Sequence, residues 1–468
     1  MKTNHVKTLR DYDAAAVMPA FKKLLSVASI NQAAAKNQKR FYRRIFTPLV
    51  LLWCLIYQRL SKDHTQDEVI VHVKSGAADH LSPDPATPIS QRIKSESTAA
   101  YSKGRLRFPL AVLKTAIADT AKSVQQTMPS WHGHPVALLD GTIFIVRPTE
   151  ELTEEYGTQS NQHGTNYWIQ IRGVGTFCLQ SGVMTAFAEA SIKTSEQELS
   201  VKTIAENGPG TVLVGDINFG VFSVVQAARH QEEEVVFRLS PARAKKIAGC
   251  ALRPDDDLIV VWTPSRQDQL NEGMSTEPIQ GRVLCCRLQC KGFRPKKIFL
   301  FTTLLEQAIY TVDELFQLYG RRLHVELNLR YVKEQLEMGE LTSKSPDSVR
   351  KDLYSGFLAY NLIRACMAEA AAEEKTSPLK LSFTRCWRRL RPELIKLRAT
   401  DSPEFIAEVF RRLFLRLRKC KLPERKIQRL EPRAVRTRPR PYPVLKGDRK
   451  KARKQYIQKL KTQAARKS

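Results

Sequence analysis

The 468-residue sequence predicts a mixed α/β protein with helical regions at both ends. Three observations carry that expectation. Apolar runs rich in β-branched residues begin only after Trp131: "HPVALLDGTIFIV" (134–146), "TVLVGDINFG" (211–220), "EVVFRLS" (234–240) and "KKIFLFTTL" (297–305). Helical stretches separate several of them, so strand and helix alternate as in a sheet covered by helices. Before residue 130 and after residue 346, apolar residues recur at helical spacing.

Residues 1–80 read as a helical domain suited to contacting DNA, because the basic patch "KNQKRFYRR" (36–44) runs straight into the apolar stretch "IFTPLVLLWCLIY" (45–57). That stretch is 13 residues long and is broken by Thr47 and Pro48. A bilayer span needs about 20 residues, so a buried helix is expected, and no membrane partner. The N-terminus "MKTNHVKTLRDYD" has no apolar signal core, which points to the cytoplasm.

Residues 81–130 open on the linker "LSPDPATPIS" (81–90) and return to helix. The first part of the core, 131–240, draws its strands from the runs above and from "YWIQIRGVGTFCLQSGVMTAFAEAS" (167–191), with a capped helix at "TSEQELSVKTIAENG" (194–208). Residues 241–296 change rhythm, with "LIVVWTPS" and "GRVLCCRLQC" as short strands among Gly, Pro and Asp, and read as a β-rich insertion. The core resumes over 297–345, where "TVDELFQLYGRRLHVELNLRYVKEQLEM" (311–338) predicts one long helix, and 346–420 are helical.

Charge is distributed unevenly. The chain carries a formal +29, and residues 411–468 alone hold 23 Lys and Arg against Glu424, Glu431 and Asp448. A segment of this composition buries no core, so 421–468 reads as an extended or frayed basic tail whose partner is a polyanion such as double-stranded DNA; the alternative is a solubilising tail. Nine cysteines with no C-x2-C pair indicate neither a disulfide framework nor a zinc ribbon. Cys285, Cys286 and Cys290, and His132 with His134, lack partners at ligand spacing. The run Asp255-Asp256-Asp257 reads as a solvated turn.

The chemistry concentrates in "YGRRLHVELNLRYVK" (319–333). On an ideal helix, at about 100° per residue, Tyr319, Arg322, Glu326 and Lys333 fall within roughly 60° of one another, flanked by Leu323 and Leu327 on one side and Val325, Leu329 and Val332 on the other. A carboxylate placed there is either paired with Arg322 and Arg330 on a partly exposed helix or is a metal ligand. Asp140 and Asp216 each close an apolar strand, as a cap on the following turn or as a group projecting into a cleft. If Glu326 packs beside them, three carboxylates meet, and such a cluster calls for hard divalent cations able to promote phosphodiester chemistry.

The spacing Tyr319-x2-Arg322-x3-Glu326-x6-Lys333 resembles the Y-R-E-K signature of bacterial insertion-sequence DDE transposases, and "DGT" at Asp140 and "GDINFG" at Asp216 resemble the first two acidic motifs of that family, in its order. The resemblance covers about residues 35–380. It implies an RNase H-like mixed sheet with helices on its faces, interrupted by the insertion before Glu326. Asp140, Asp216 and Glu326 would be the catalytic residues and would bind two Mg2+, with Mn2+ able to substitute. Tyr319, Arg322, Lys333 and Arg238 would contact DNA. The implied reaction is cleavage at the terminal inverted repeats and joining of the 3′-OH to target DNA, by a homodimer on paired ends. Some members carry a Trp on the strand before the signature helix, for a flipped base at a DNA hairpin; this chain has Ile298 there, while Trp262 lies in the insertion. An RNase H-like nuclease or resolvase that cuts without joining, and an inactive DNA-binding relic, are the other readings.

Overall fold

The computed structural model describes residues 27–36, 45–82, 86–161, 164–269, 277–288, 296–396, 403–423 and 448–465. Much of the basic patch at 36–44, Cys290 and the start of the tail lie outside these. The chain forms two compact units, Met1–Pro423 and Glu424–Ser468.

Among the described residues, six α-helices precede the sheet: α1 (Val27–Lys36), α2 (Pro48–Leu60), α3 (Gln66–Lys74), α4 (Ile89–Arg92), α5 (Ala99–Arg107) and α6 (Leu110–Gln125). Thr47 starts α2 by accepting from the Val50 amide, with Pro48 in the first turn where no amide hydrogen is needed. As expected for its all-round apolar sequence, α2 is buried from Val50 to Leu60. Among the described residues, no helix is long and apolar enough to cross a membrane.

The sheet is built from β1 (Val136–Val146), β4 (Ile169–Cys178), β5 (Met184–Ser191), β6 (Val212–Gly215) and β7 (Glu234–Leu239), side by side in the order β5-β4-β1-β6-β7. The first three are antiparallel; β6 and β7 then run parallel to β1. Between them come α7 (Glu150–Tyr156), the small hairpin β2 (Ser160–Asn161) and β3 (Gly164–Thr165), α8 (Glu196–Ile204) and α9 (Phe222–His230). Three antiparallel strands followed by two parallel ones, with helices on both faces, is the RNase H-like arrangement.

The stretch after β7 contains α10 (Pro241–Ala248), β8 (Asp257–Trp262), α11 (Arg266–Gln269) and β9 (Ile279–Leu288), and leads into β10 (Lys296–Thr302). β10 pairs with β7, β9 with β10 and β8 with β9, all antiparallel, so the inserted strands extend the main sheet instead of forming a sheet of their own. Asp257 is not solvated: its carboxylate holds buried Arg282 at 2.6 Å and 3.0 Å.

The expected long helix is broken. α12 (Val312–Gly320) starts with a capping box between Thr311 and Glu314 and ends at Gly320. Arg322 and Val325 then donate to the carbonyls of Tyr319 and Arg322, three residues back, which tightens the turn before α13 (Leu323–Arg330). Tyr331–Gln335 widen into a π-helical turn, with Leu336 donating to the Tyr331 carbonyl five residues back. After β11 (Glu340–Leu341), which pairs with the end of β1, the 27-residue α14 (Pro346–Ala372) runs through the core, followed by α15 (Phe383–Lys396) and α16 (Pro403–Arg418).

A buried ion cluster joins α2, α5 and α14. Asp352 receives Arg105 at 2.9 Å and Arg59 at 3.3 Å and accepts from the Ser343 hydroxyl. In the second unit, α17 (Arg449–Ala465) is a helix, not the extended segment its charge predicts. Its Lys, Arg, Gln and Ala are good helix formers, with no Gly or Pro between them.

Candidate active site

Asp140 does not end β1 but sits at its middle, since the strand continues through Gly141 and Thr142 to Val146. The reason is its partner β4, which pairs with β1 residue by residue from Ala137 to Val146. What ends there is the neighbour on the other side: β6 stops at Gly215, and the parallel register that pairs Leu138 with Val214 sets Asp216 level with Asp140. Adjacent strands lie about 4.8 Å apart, so the two carboxylates belong to one cleft. The same count along β7, where Gly215 pairs with Phe237, sets half-buried Arg238 level with Asp216.

α13 brings Glu326 to this cleft through Arg322. The Arg322 guanidinium lies 2.8 Å from a Glu326 oxygen and 3.5 Å from an Asp140 oxygen. Burial pushes the Asp140 carboxyl up to about 6, and Asp216 and Glu326 add to that, while Arg322 and the Gly141 amide oppose it. Arg322 feels the reverse balance: burial disfavours its charge, but Asp140, Glu326 and Asp216 outweigh it and raise its affinity for the proton. The three carboxylates and the guanidinium are thus one electrostatic unit.

Glu326 itself is not buried, as the idealised stripe required; its side chain is 50 % exposed. Leu323 and Leu327, expected to be covered, are 58 % and 41 % exposed, while Val325, Asn328 and Leu329 face the core. Tyr319, at the end of α12, is half-buried against the core and close enough to Arg322 to affect its charge. Lys333 lies in the π-helical turn with its ammonium 5.6 Å from the Phe144 ring centre, and burial lowers its proton affinity. The bends before and after α13 therefore split the stripe into an Arg322–Glu326 pair at Asp140 and a Lys333 position nearer the end of β1.

Two supports were not legible in the sequence. Asn218 donates from its backbone to Asp216 at 2.8 Å and from its side chain to Glu196 at 2.5 Å, and its carbonyl accepts from Gln197 at 2.9 Å. Glu196 also lies against Gly141, where a Cβ would come within 2.6 Å of its carboxylate, so a larger residue beside Asp140 would push the Glu196 carboxylate aside. Behind α13, buried Arg364 donates to Asn328 at 2.6 Å and stacks among Tyr331, Tyr360 and Phe383. Residue spacing does not mark the Asn218–Glu196 and Arg364–Asn328 contacts, because they join residues 22 and 36 apart.

The donor chemistry fits hard divalent cations: every candidate ligand is a carboxylate oxygen, and the Arg322 guanidinium stands in for the positive charge they call for. Among the described residues, no three His, Cys, Asp or Glu side chains already converge as a ligand cluster, because Arg322 stands between Asp140 and Glu326. His132 and His134 are engaged elsewhere, at Glu314, the Gly210 carbonyl and Tyr310.

Fold and site together define the class: an RNase H-like α/β protein whose acidic cleft suits metal-dependent chemistry on phosphodiesters. Residues 131–362 match the family model described as a transposase DDE domain. The chain is also 24 % identical over 427 residues to the transposase InsG for insertion sequence element IS4 of Escherichia coli (strain K12), covering 89 % of this chain and 91 % of that protein. This chain carries a transposase DDE domain over residues 131–362 and resembles an insertion-sequence transposase over most of its length. Among solved structures it aligns with a piggyBac transposase synaptic complex with hairpin DNA, at 11 % identity and a TM-score of 0.41, over 87 % of this chain and 85 % of that one.

Proposed function

We propose that Asp140, Asp216 and Glu326 hold two Mg2+ ions, with Mn2+ able to substitute, and that Tyr319, Arg322, Lys333 and Arg238 contact the phosphates of the element's terminal inverted repeat. The observation that carries this reading is the shared level of Asp140 and Asp216 on neighbouring parallel strands, with Glu326 reaching them through one guanidinium. When bound, the ions supply activation of the attacking oxygen and charge neutralisation at the scissile phosphate.

The chain's own residues do the positioning. Asn218 and Glu196 fix the loop that carries Asp216, and Arg364 holds α13 from behind. Once released by the carboxylates, Arg322 offers a phosphate the fork that now spans Asp140 and Glu326. In joining, the 3′-oxygen of the cut element bonds to a target phosphorus as the target's own 3′-oxygen leaves, so the number of phosphodiester bonds is conserved. Residues 1–80 and the basic tail add DNA contacts, and a homodimer works on paired ends in the bacterial cytoplasm.

The test is Glu326→Ala. Cleavage of a terminal-repeat duplex is expected to disappear while affinity for that duplex survives. Unchanged cleavage would remove Glu326 from the site.

A further inference from the structure

A transposase must bring two DNA molecules to one set of carboxylates, the element end and the target. α12, α13 and the π-helical turn carry the residues assigned above to the element end, on the face of β1 where Phe144 is buried. The opposite face differs. α8 covers it only as far as Gly141, against Glu196. Beyond Gly141, β6 has ended and the paired strands β1 and β4 continue. Along this ribbon, exposure alternates: Thr142, Phe144 and Val146 are buried, whereas Ile143 is 37 % exposed and Arg147 is open to solvent.

The uncovered face leads to an aromatic and cationic end. Tyr167 is 68 % exposed and meets Trp168 edge to face, with ring centres 5.5 Å apart. The Arg147 guanidinium lies 5.9 Å from the Trp168 ring centre. Its ion pair with Glu340 spans 3.6 Å between exposed groups, a contact worth little in water. Opposite Ile143 stands Arg172, whose Nε is buried with no hydrogen-bond partner among the described residues. Two guanidinium groups along the ribbon, one of them, Arg147, beside exposed Tyr167 and half-buried Trp168, match a DNA backbone, with phosphates for the cations and the rings against sugars. From Gly141 to Arg147 this face covers about 20 Å at roughly 3.4 Å per residue, a path that starts next to Asp140, whose own side chain belongs to the other face.

We propose that this ribbon face, ending in Arg147, Tyr167 and Trp168, is the docking surface for target DNA. The proposal rests on the element-end assignment above, because that assignment leaves this face to the second duplex.

The test uses the full chain with Tyr167→Ala, whose exposed side chain can be removed without touching the core, and Arg147→Ala as a second variant. In the joining arm, a pre-cut element end with a free 3′-OH meets increasing amounts of plasmid. The plasmid concentration for half-maximal joining should rise about tenfold, which corresponds to about 1.4 kcal/mol of lost contact, while terminal-repeat affinity and cleavage stay at wild-type levels. In the second arm, Glu326→Gln protein with and without Tyr167→Ala binds a duplex lacking the terminal repeat, and affinity should fall by a similar factor. Unchanged target dependence and duplex affinity would overturn the proposal, as would an equal loss of terminal-repeat binding, which would assign the ribbon to the element end. If wild-type protein joins nothing yet the binding arm responds, the joining reading fails and the surface stands.

Discussion

Two carboxylate–arginine clusters in this chain have opposite characters. Asp352 is buried between Arg59 and Arg105, which outweigh the effect of burial and keep its carboxyl below its ordinary range. Asp140 shares one arginine with Glu326 and stands beside Asp216, and its carboxyl is pushed up to about 6. The first cluster is closed: two cations and a serine satisfy one acid, and it ties the N-terminal helices to α14. The second is open, because three acids surround one cation at a solvent-accessible edge. A closed cluster holds a fold together, whereas an open one has capacity left for a cation from solution.

The largest effects should separate the two clusters cleanly. Asp140→Asn is expected to abolish metal-dependent DNA cleavage while thermal melting stays at or above wild type, since it removes an ionised carboxylate crowded by two others. Asp352→Asn should do the reverse, costing on the order of 3 to 5 kcal/mol in denaturant unfolding because Arg59 and Arg105 lose their counter-charge. Equal loss of stability in both variants would break the distinction.

A third buried acid sharpens it. Glu233 has no ion pair among the described residues, and burial pushes its carboxyl up to about 8, with Asn207 opposing. Its folded-state proton affinity exceeds the unfolded one, so the stability it contributes is full below about pH 4.5 and is lost as pH rises through about 8. Glu233→Gln should therefore stabilise the protein by on the order of 3 kcal/mol at pH 8, with the gain vanishing near pH 4. A gain independent of pH would contradict this origin.

Smaller shifts should come from the open cluster itself. Metal affinity should decline as pH falls through about 6, when Asp140 takes up a proton. In Arg322→Ala that decline should move to higher pH, because the guanidinium favours the Asp140 carboxylate. The mildest expected change is in salt dependence: removing residues 421–468 should flatten the fall of DNA affinity with salt, and an unchanged slope would show that the tail does not touch phosphate.

The strands of the core were readable because their apolar β-branched runs have few other uses, and the acidic motifs stood out within them. What escaped the sequence depended on hydrogen-bond type and on distant partners. Asp140-Gly141-Thr142 reads as a turn, yet β4 pairs straight through it. A constant helical period carries Tyr319 to Lys333 in one stripe, but contacts three residues back after Gly320 and five residues back at Leu336 reset the angle. Exposure of Leu323 and Leu327 follows from what stands opposite them, which periodicity does not encode. The inserted strands were recognisable as strands, but their place in the main sheet is a matter of register with β10.

The central claim is that Asp140, Asp216 and Glu326 hold the catalytic metal together. Replacing Mg2+ by Fe2+ and generating hydroxyl radicals at the bound ion cuts the polypeptide next to its ligands. The account predicts backbone cuts beside all three residues, suppressed by excess Mg2+ and absent in Asp140→Asn. Cuts confined to other segments, or cuts beside these residues that persist in Asp140→Asn, would contradict it.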